Sequence, residues 1–461
     1  MKGLIKLMIK MMLCLILITN ISFAEYIEQV EEITAGNFFG YGARQMAMGG
    51  AGIMAIDGAA LFYNPANLAR IPRIEFNFGL SNQRYKDIST VRPIRREVDY
   101  SGAVTQSGIL SPRFEGFQPV LSSAENSKIN TRVNSAIITI PYPTYRGSMV
   151  FGIGMTRGIN FDRVFRLSHS DRSASGDIIA LGDEFQSGAL TQWGAGIGID
   201  LSPRIAFGGA LYLYTGKHNY NWEYALDSLD VLSYEAEDLI VDKYLGFNMK
   251  MALSMRLNHY LTLGLAVETP LIFSVEEESS SYRLLDGVVI EDDYSYTEYD
   301  IKKPFVFSGG LSAQFNNATL MADFDYTDWS QLEYGDNIEM EKENINIRSY
   351  YRDVIRFRLG GEYVFPQAGL SVRAGYFSDP LPIKSSFVNQ NRSGFTFGLG
   401  LLVDQVMTID VAFVHGSYER NSDFIYSSVK DDQDNMISSH NLIVDEEVSY
   451  NRLYLTTAYR F

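Results

Sequence analysis

The feature that most constrains this chain is a two-residue alternation held over an unusual length. In LGFNMKMALSMRL, Leu245 to Leu257, the apolar side chains Leu245, Phe247, Met249, Met251, Leu253, Met255 and Leu257 alternate with Gly246, Asn248, Lys250, Ala252, Ser254 and Arg256. That period is a β-strand with two unlike faces. At about 3.3 Å per residue it is roughly 40 Å long, well beyond the usual five or six residues. A soluble sandwich would turn the apolar face to its core; a membrane barrel would turn it to lipid and keep a wet lumen inside.

Three features favour the barrel. The chain opens MKGLIKLMIKMMLCLILITNISFA, with Lys2, Lys6 and Lys10, a short apolar run and small residues at Ser22 and Ala24. This predicts a secretory signal peptide over 1–24. No later run is apolar enough for a membrane helix. The chain finishes NRLYLTTAYRF, with Phe461, Tyr459, Leu455 and Leu453 on one face. An aromatic last residue with alternating apolar residues behind it resembles the signal read by the barrel-assembly machinery; Tyr459 and Phe461 are its candidates. The single cysteine, Cys14, falls in the predicted signal, so the mature chain carries no disulfide. A net charge of −16 argues against nucleic acid as a partner, and 29 Tyr with 28 Phe supply aromatic belts.

The alternation recurs fourteen times, at 72–85, 130–142, 147–160, 190–202, 204–217, 241–257, 260–273, 304–316, 318–330, 352–365, 369–380, 393–403, 406–418 and 447–461. The connections alternate between six short ones, such as NHY, NNA and PQAG, and seven long ones, among them 86–129, 161–189, 218–240 and 274–303. The expected fold is therefore all-β: a 14-stranded antiparallel transmembrane β-barrel over 72–461, in a bacterial outer membrane, with both termini on the short-turn, periplasmic side. An even strand number leaves no free edge in the bilayer. Residues 25–71, rich in Gly and Ala, fit no strand; they are either a periplasmic tail or a plug in the lumen, with a short helix expected near 43–48.

Register follows from the turns. Pairing Phe365 with Leu370 around PQAG sets Glu362 opposite Arg373 on the lumen side. Matching both faces of the preceding hairpin sets Asp325 opposite Arg356 and Asp323 opposite Arg358. These six residues are expected to form a charge ladder on the lumen wall. The expected role is structural, tying wall to plug.

GARQMAMGGAGIMAIDGAALFYNPANLARI, with its NPA at Asn64, Pro65 and Ala66, resembles the hatch of FadL-type outer-membrane transporters. ADFDYTDWSQ, VIRFRLGGEYVF, LSVRAGYFSDPLPI and SGFTFGLGLLVDQVMTIDVAFVHG resemble strands of the same family. The resemblance implies a hatch-plugged, monomeric barrel that passes hydrophobic small molecules, such as long-chain fatty acids or hydrocarbons, by passive diffusion, with a lateral gap at a kinked third strand. Gly152, Gly154 and Gly158 are the candidates for that gap. The segment after His218, with Trp222, Tyr224, Leu226 and Leu229, is a candidate apolar loop groove, exposed apolar clusters often being binding surfaces. Where such hatches often carry paired acids, this chain reads Ile56–Asp57. The alternative is a PorV-like barrel serving as a protein-binding shuttle of a secretion system.

The five histidines have no metal-ligand spacing. The acidic runs EDDY and DDQDN lack a calcium-loop pattern and read as solvated loops, able to meet lipopolysaccharide through divalent cations. No nucleophile elbow is present. The expectation is no enzyme, no cofactor and no metal; the partners are the hydrophobic ligand, outer-membrane lipid and lipopolysaccharide, and the assembly machinery.

Overall fold

The computed structural model describes residues 37–38, 40–94, 97–98, 104–105, 123–145, 147–173, 176–228, 232–335, 338–382, 384, 391–430 and 436–461. The predicted signal, residues 1–24, lies outside them.

Fourteen strands close into one antiparallel barrel. They are β1 (Glu75–Ile94), β2 (Ser123–Tyr142), β3 (Met149–Asn160, continuing as Arg163–Ser173), β4 (Gly176–Ser202), β5 (Ile205–Ser228), β6 (Leu232–Arg256), β7 (Leu261–Glu268 and Leu271–Leu285), β8 (Val288–Lys303 and Val306–Phe315), β9 (Ala318–Asp328), β10 (Asp353–Phe365), β11 (Leu370–Pro380), β12 (Asn391–Val403), β13 (Met407–Lys430) and β14 (Met436–Arg460). Closure is made by β1 against β14, from Glu75↔Arg460 to Ile94↔Asn441. Five of the six expected tight connections, 202–204, 258–260, 316–318, 366–369 and 404–406, lie between consecutive strands; the sixth, 143–147, includes Arg146, which lies outside the described residues.

The faces are as the alternation requires. On β6, Leu245, Phe247 and Met251 point outward and exposed, while Asn248, Ala252 and Ser254 are buried inside. Aromatic pairs mark the short-turn rim: Tyr260 on Phe315, Tyr363 on Phe365 and Tyr459 on Phe461. Phe305 and Trp193, both exposed, mark the other edge. Phe305 to Phe315 is ten residues of tilted strand, about 25 Å, the height of a barrel's apolar band. Among the described residues no helix is long and apolar enough to cross a membrane.

The long connections differ from expectation. β4 runs 27 residues, β6 25 and β14 25, so most of 161–189, 218–240, 274–303 and 419–446 is strand, and the run EDDY lies inside β8. Above the apolar band both faces can be polar, so the alternation disappears from the sequence while the backbone ladder simply continues. The stretch 331–351 holds a helix, Ile338–Tyr350, and DDQDN falls outside the described residues.

Residues 40–71 fold inside the barrel. Two short helices, α1 (Ala43–Ala47) and α2 (Ala60–Tyr63), and the 3₁₀ turn Pro65–Arg70 follow each other. Ala43, Ala47, Leu61, Phe62, Asn64 and Leu68 are fully or almost fully buried. The described part of this segment packs against inward-facing residues of the wall.

Candidate functional site

The hatch is fitted to the wall by its backbone. Asn64 ends α2 and starts the 3₁₀ turn: its Oδ1 accepts from the Ala66 amide at 3.1 Å, and Pro65 occupies the first position, where no amide donor is needed. Its Nδ2 donates to the Leu253 carbonyl at 3.4 Å, and Asn67 Nδ2 donates to the Ile53 carbonyl at 2.9 Å. The NPA motif thus ties the hatch both to itself and to β6. Inward glycines let the hatch backbone reach the wall. A Cβ on Gly208 would overlap Pro65 and Ala66, and one on Gly375 would overlap Met48 and Gly49. The sequence shows these glycines but not what lies against them.

Polar anchors complete the seat. Gly52 and Ile53 donate their amides to Asp323 Oδ2 at 2.6 and 2.8 Å. Arg44 grips Glu362 with two bonds, at 3.0 and 2.7 Å. Gly58 donates to Glu75 Oε1 at 2.9 Å, and Tyr212 and Lys250 donate to the carbonyls of Leu61 and Phe62. Burial alone would lower the pKa of Arg44, but Glu362 and Asp57 hold it above its ordinary value. Burial raises the phenols of Tyr41 and Tyr63, so both hatch tyrosines stay neutral.

The register sets Asp323 opposite Arg358, Asp325 opposite Arg356 and Glu362 opposite Arg373. The ion pairs follow that register only in part. Glu362 meets Arg373 at 2.6 Å, but Arg358 reaches diagonally to Asp325 at 2.7 Å, and Arg356 reaches Asp379 at 2.5 Å. The reason is the hatch: Asp323 is engaged by two backbone amides, which strand pairing alone cannot reveal. Arg373 also reaches Asp410 at 2.6 Å.

Between hatch and wall, on the β3–β10 side, lies a cavity of ≈150 Å³. Phe62, Leu190, Tyr214, Leu271 and Trp329 supply apolar lining, and Asn248, Lys250, Glu268 and Arg356 supply polar lining. Lys250 pairs with Glu268 at 3.0 Å, and the Lys303 ammonium stands 5.3 Å over the Trp329 ring. Further along β3, Arg163 pairs with Glu184 of the neighbouring β4 at 2.9 Å and with Glu446 of β14 at 3.0 Å, all deeply buried. His218 stands between Asp242 and Gln186 at 3.2 and 3.1 Å. The sequence offered no signal for this tier, because its members are far apart in the chain.

The third strand is kinked. β2 and β3 pair from Tyr142↔Met149 only to Ser135↔Thr156. Beyond that, β2 continues against β1, while β3 follows β4 through an irregularity between Thr156 and Ile159. Gly158 sits in that irregularity. Gly152 and Gly154 do not: they lie in the paired part, Gly152 in contact with Leu61 and Leu68 of the hatch and Gly154 tight against Ala136 and Ile137 of β2. Asn37 and Phe38 pair with Asn160 and Ile159.

The candidate loop groove is not a loop. Trp222 and Tyr224 lie on β5, Tyr224 buried, in a stack with Phe165 of β3. Leu226 is on the same strand, and Leu229 lies outside the described residues. The strand continuation that replaced the long loops put Trp222 and Tyr224 in the upper barrel.

Residues 281–461 match a family described as outer membrane protein transport protein (OMPP1/FadL/TodX). The fold is that of the FadL/TodX barrels. A FadL homologue of Pseudomonas aeruginosa superposes with a TM-score of 0.58 at 14% identity, covering 93% of this chain and 98% of that one. The FadL-type architecture is shared with two toluene transporters. Pseudomonas putida TodX gives 0.54 at 16%, covering 93% and 100%, and Ralstonia pickettii TbuX gives 0.54 at 15%, covering 92% and 99%. No curated protein matches the chain in sequence.

Proposed function

We propose that this barrel carries hydrophobic small molecules across the outer membrane by passive diffusion, gated by the hatch at 25–71. The supporting observation is an aromatic-lined cavity of ≈150 Å³ between the residues around Phe62 and the barrel wall. A general porin keeps a continuous water channel; a cavity with apolar walls and a few placed polar groups is built for a ligand. Long-chain fatty acids and hydrocarbons are the cargo classes. The kink in β3 supports a side exit, and Gly158 is its hinge. Both termini stand on the periplasmic side, as the short turns beside them suggest. The test is mass spectrometry of lipids that co-purify in mild detergent. A stoichiometric fatty acid or hydrocarbon is expected; a stoichiometric protein with no lipid would favour the PorV-like shuttle instead.

A further inference from the structure

The outer part of β8 has an open edge. On one side it pairs with β7 along its length, from Leu271↔Lys303 to Leu285↔Val288. On the other it is paired only at its base, Ile301↔Tyr334 and Lys302↔Glu333, with the Asp300 carbonyl accepting from the Gly335 amide at 2.8 Å. From Val288 to Tyr299 no strand among the described residues lies on that second side. The open stretch is roughly 40 Å of strand. Its side chains stand free, Val288 being 64% exposed and Tyr294 71%. Such an edge presents a row of unpaired amides and carbonyls, a template for another strand.

Two facts give the edge a partner chemistry. The first is charge. VVIEDDYSYTEYD, Val288 to Asp300, holds five carboxylates and no Lys or Arg. Alternation puts them on both faces of the strand: Asp292 and Glu298 with Tyr294 and Tyr296 on one, Glu291 and Asp293 on the other. Glu276 of β7 stands directly opposite Glu298, both exposed. Like charges so placed repel, and a cation brought alongside relieves them. The exposed rings of Tyr294 and Tyr296 offer a cation a further seat. The second fact is what this charge excludes. Two copies of the edge laid together would set acid against acid, the device by which natural edges keep apart. The phosphates of lipopolysaccharide are repelled in the same way.

We propose that this edge takes an extended, lysine- or arginine-rich segment of a partner protein as an added strand. Main-chain hydrogen bonds hold the segment, and its alternate side chains, meeting the carboxylates and tyrosines of β8, select it. The cargo of the barrel plays no part in this contact.

The experiment is fluorescence anisotropy of a dye-labelled peptide of alternating lysine and valine, about twelve residues long to match the open stretch, against the full-length protein in mild detergent, with empty micelles as the blank. The peptide is expected to bind, and its glutamate–valine counterpart is not. Methylating alternate backbone nitrogens keeps every charge and removes the amides that would pair; it should weaken binding by about tenfold or more, the scale of one or two lost hydrogen bonds. Asp292→Asn with Asp293→Asn should weaken it roughly tenfold. Glu447→Gln, an exposed acid on β14, should leave it within about twofold. Equal binding of the methylated peptide would show an attraction of charge alone and overturn the added strand. An equal loss in Glu447→Gln, or none in the Asp292 and Asp293 variant, would move the contact off this edge and overturn it too. A dimer in native mass spectrometry that excludes the peptide would give the edge to a second copy instead.

Discussion

At the scale of single residues, the hatch is held by a few groups whose partners are backbone atoms. Asp323 accepts two hatch amides through one oxygen. In Asp323→Ala, two buried donors lose their acceptor, at about 1–3 kcal/mol each. The hatch should loosen: single-channel conductance in a planar bilayer should rise, and the melting temperature should fall. An unchanged conductance would show that the hatch is seated by packing alone. Asp323→Arg with Arg358→Asp, a swap suggested by strand register alone, should not restore the wild-type state, because the reversed charge faces the amides of Gly52 and Ile53. At Gly208 the argument is steric. A valine there would overlap Pro65 and Ala66, and small-to-large changes in packed interiors typically cost 1–3 kcal/mol. Gly208→Val should raise conductance too, whereas Gly209→Val, at the neighbouring position whose Cβ would meet only the Lys250 carbonyl oxygen at an ordinary 3.8 Å, should not.

At the scale of elements, the hatch and the wall strands are separate pieces of one barrier. The NPA turn, α1 and α2 are too short to be stable alone, since isolated helices need about 12–15 residues; they are ordered by the wall. Removing residues 25–71 while keeping β1 whole should therefore leave the barrel folded and open. Large conductance steps with a retained heat-modifiable shift on a gel are the expected result. Small steps would mean that the upper tier around Arg163, Glu184 and Glu446 closes the lumen by itself.

At the scale of the molecule, closure depends on β14 meeting β1. Phe461 donates its amide to the Ile74 carbonyl at 2.9 Å, and its ring packs on Tyr459. Replacing it with serine removes an outward aromatic from the rim without touching the lumen. Phe461→Ser should reduce the folded fraction recovered from the outer membrane, read by heat-modifiable mobility, while detergent-refolded protein still binds ligand. Equal recovery of the variant would remove the assembly role proposed for Tyr459 and Phe461.

The sequence by itself determined the barrel. A period of two held over long stretches, met fourteen times with short and long connections in turn, leaves few other ways to bury one face and wet the other. The same period fixed the register: Glu362 lies opposite Arg373, and Asp323 opposite Arg358, as the turn and the two faces require. Three things were decided only in the tertiary structure. The strands run on above the apolar band, because a ladder needs backbone partners and not alternating side chains. The ion pairs move off their directly opposed partners, because Asp323 is engaged by amides some 270 residues away in the chain. The irregularity in β3 lies at Gly158, beyond Gly152 and Gly154, because those two glycines face the hatch and β2 across a paired ladder. Alternation is local and survives in sequence. Which side chain a buried group finally meets depends on how the hatch lies in the lumen, and no spacing along the chain encodes that contact.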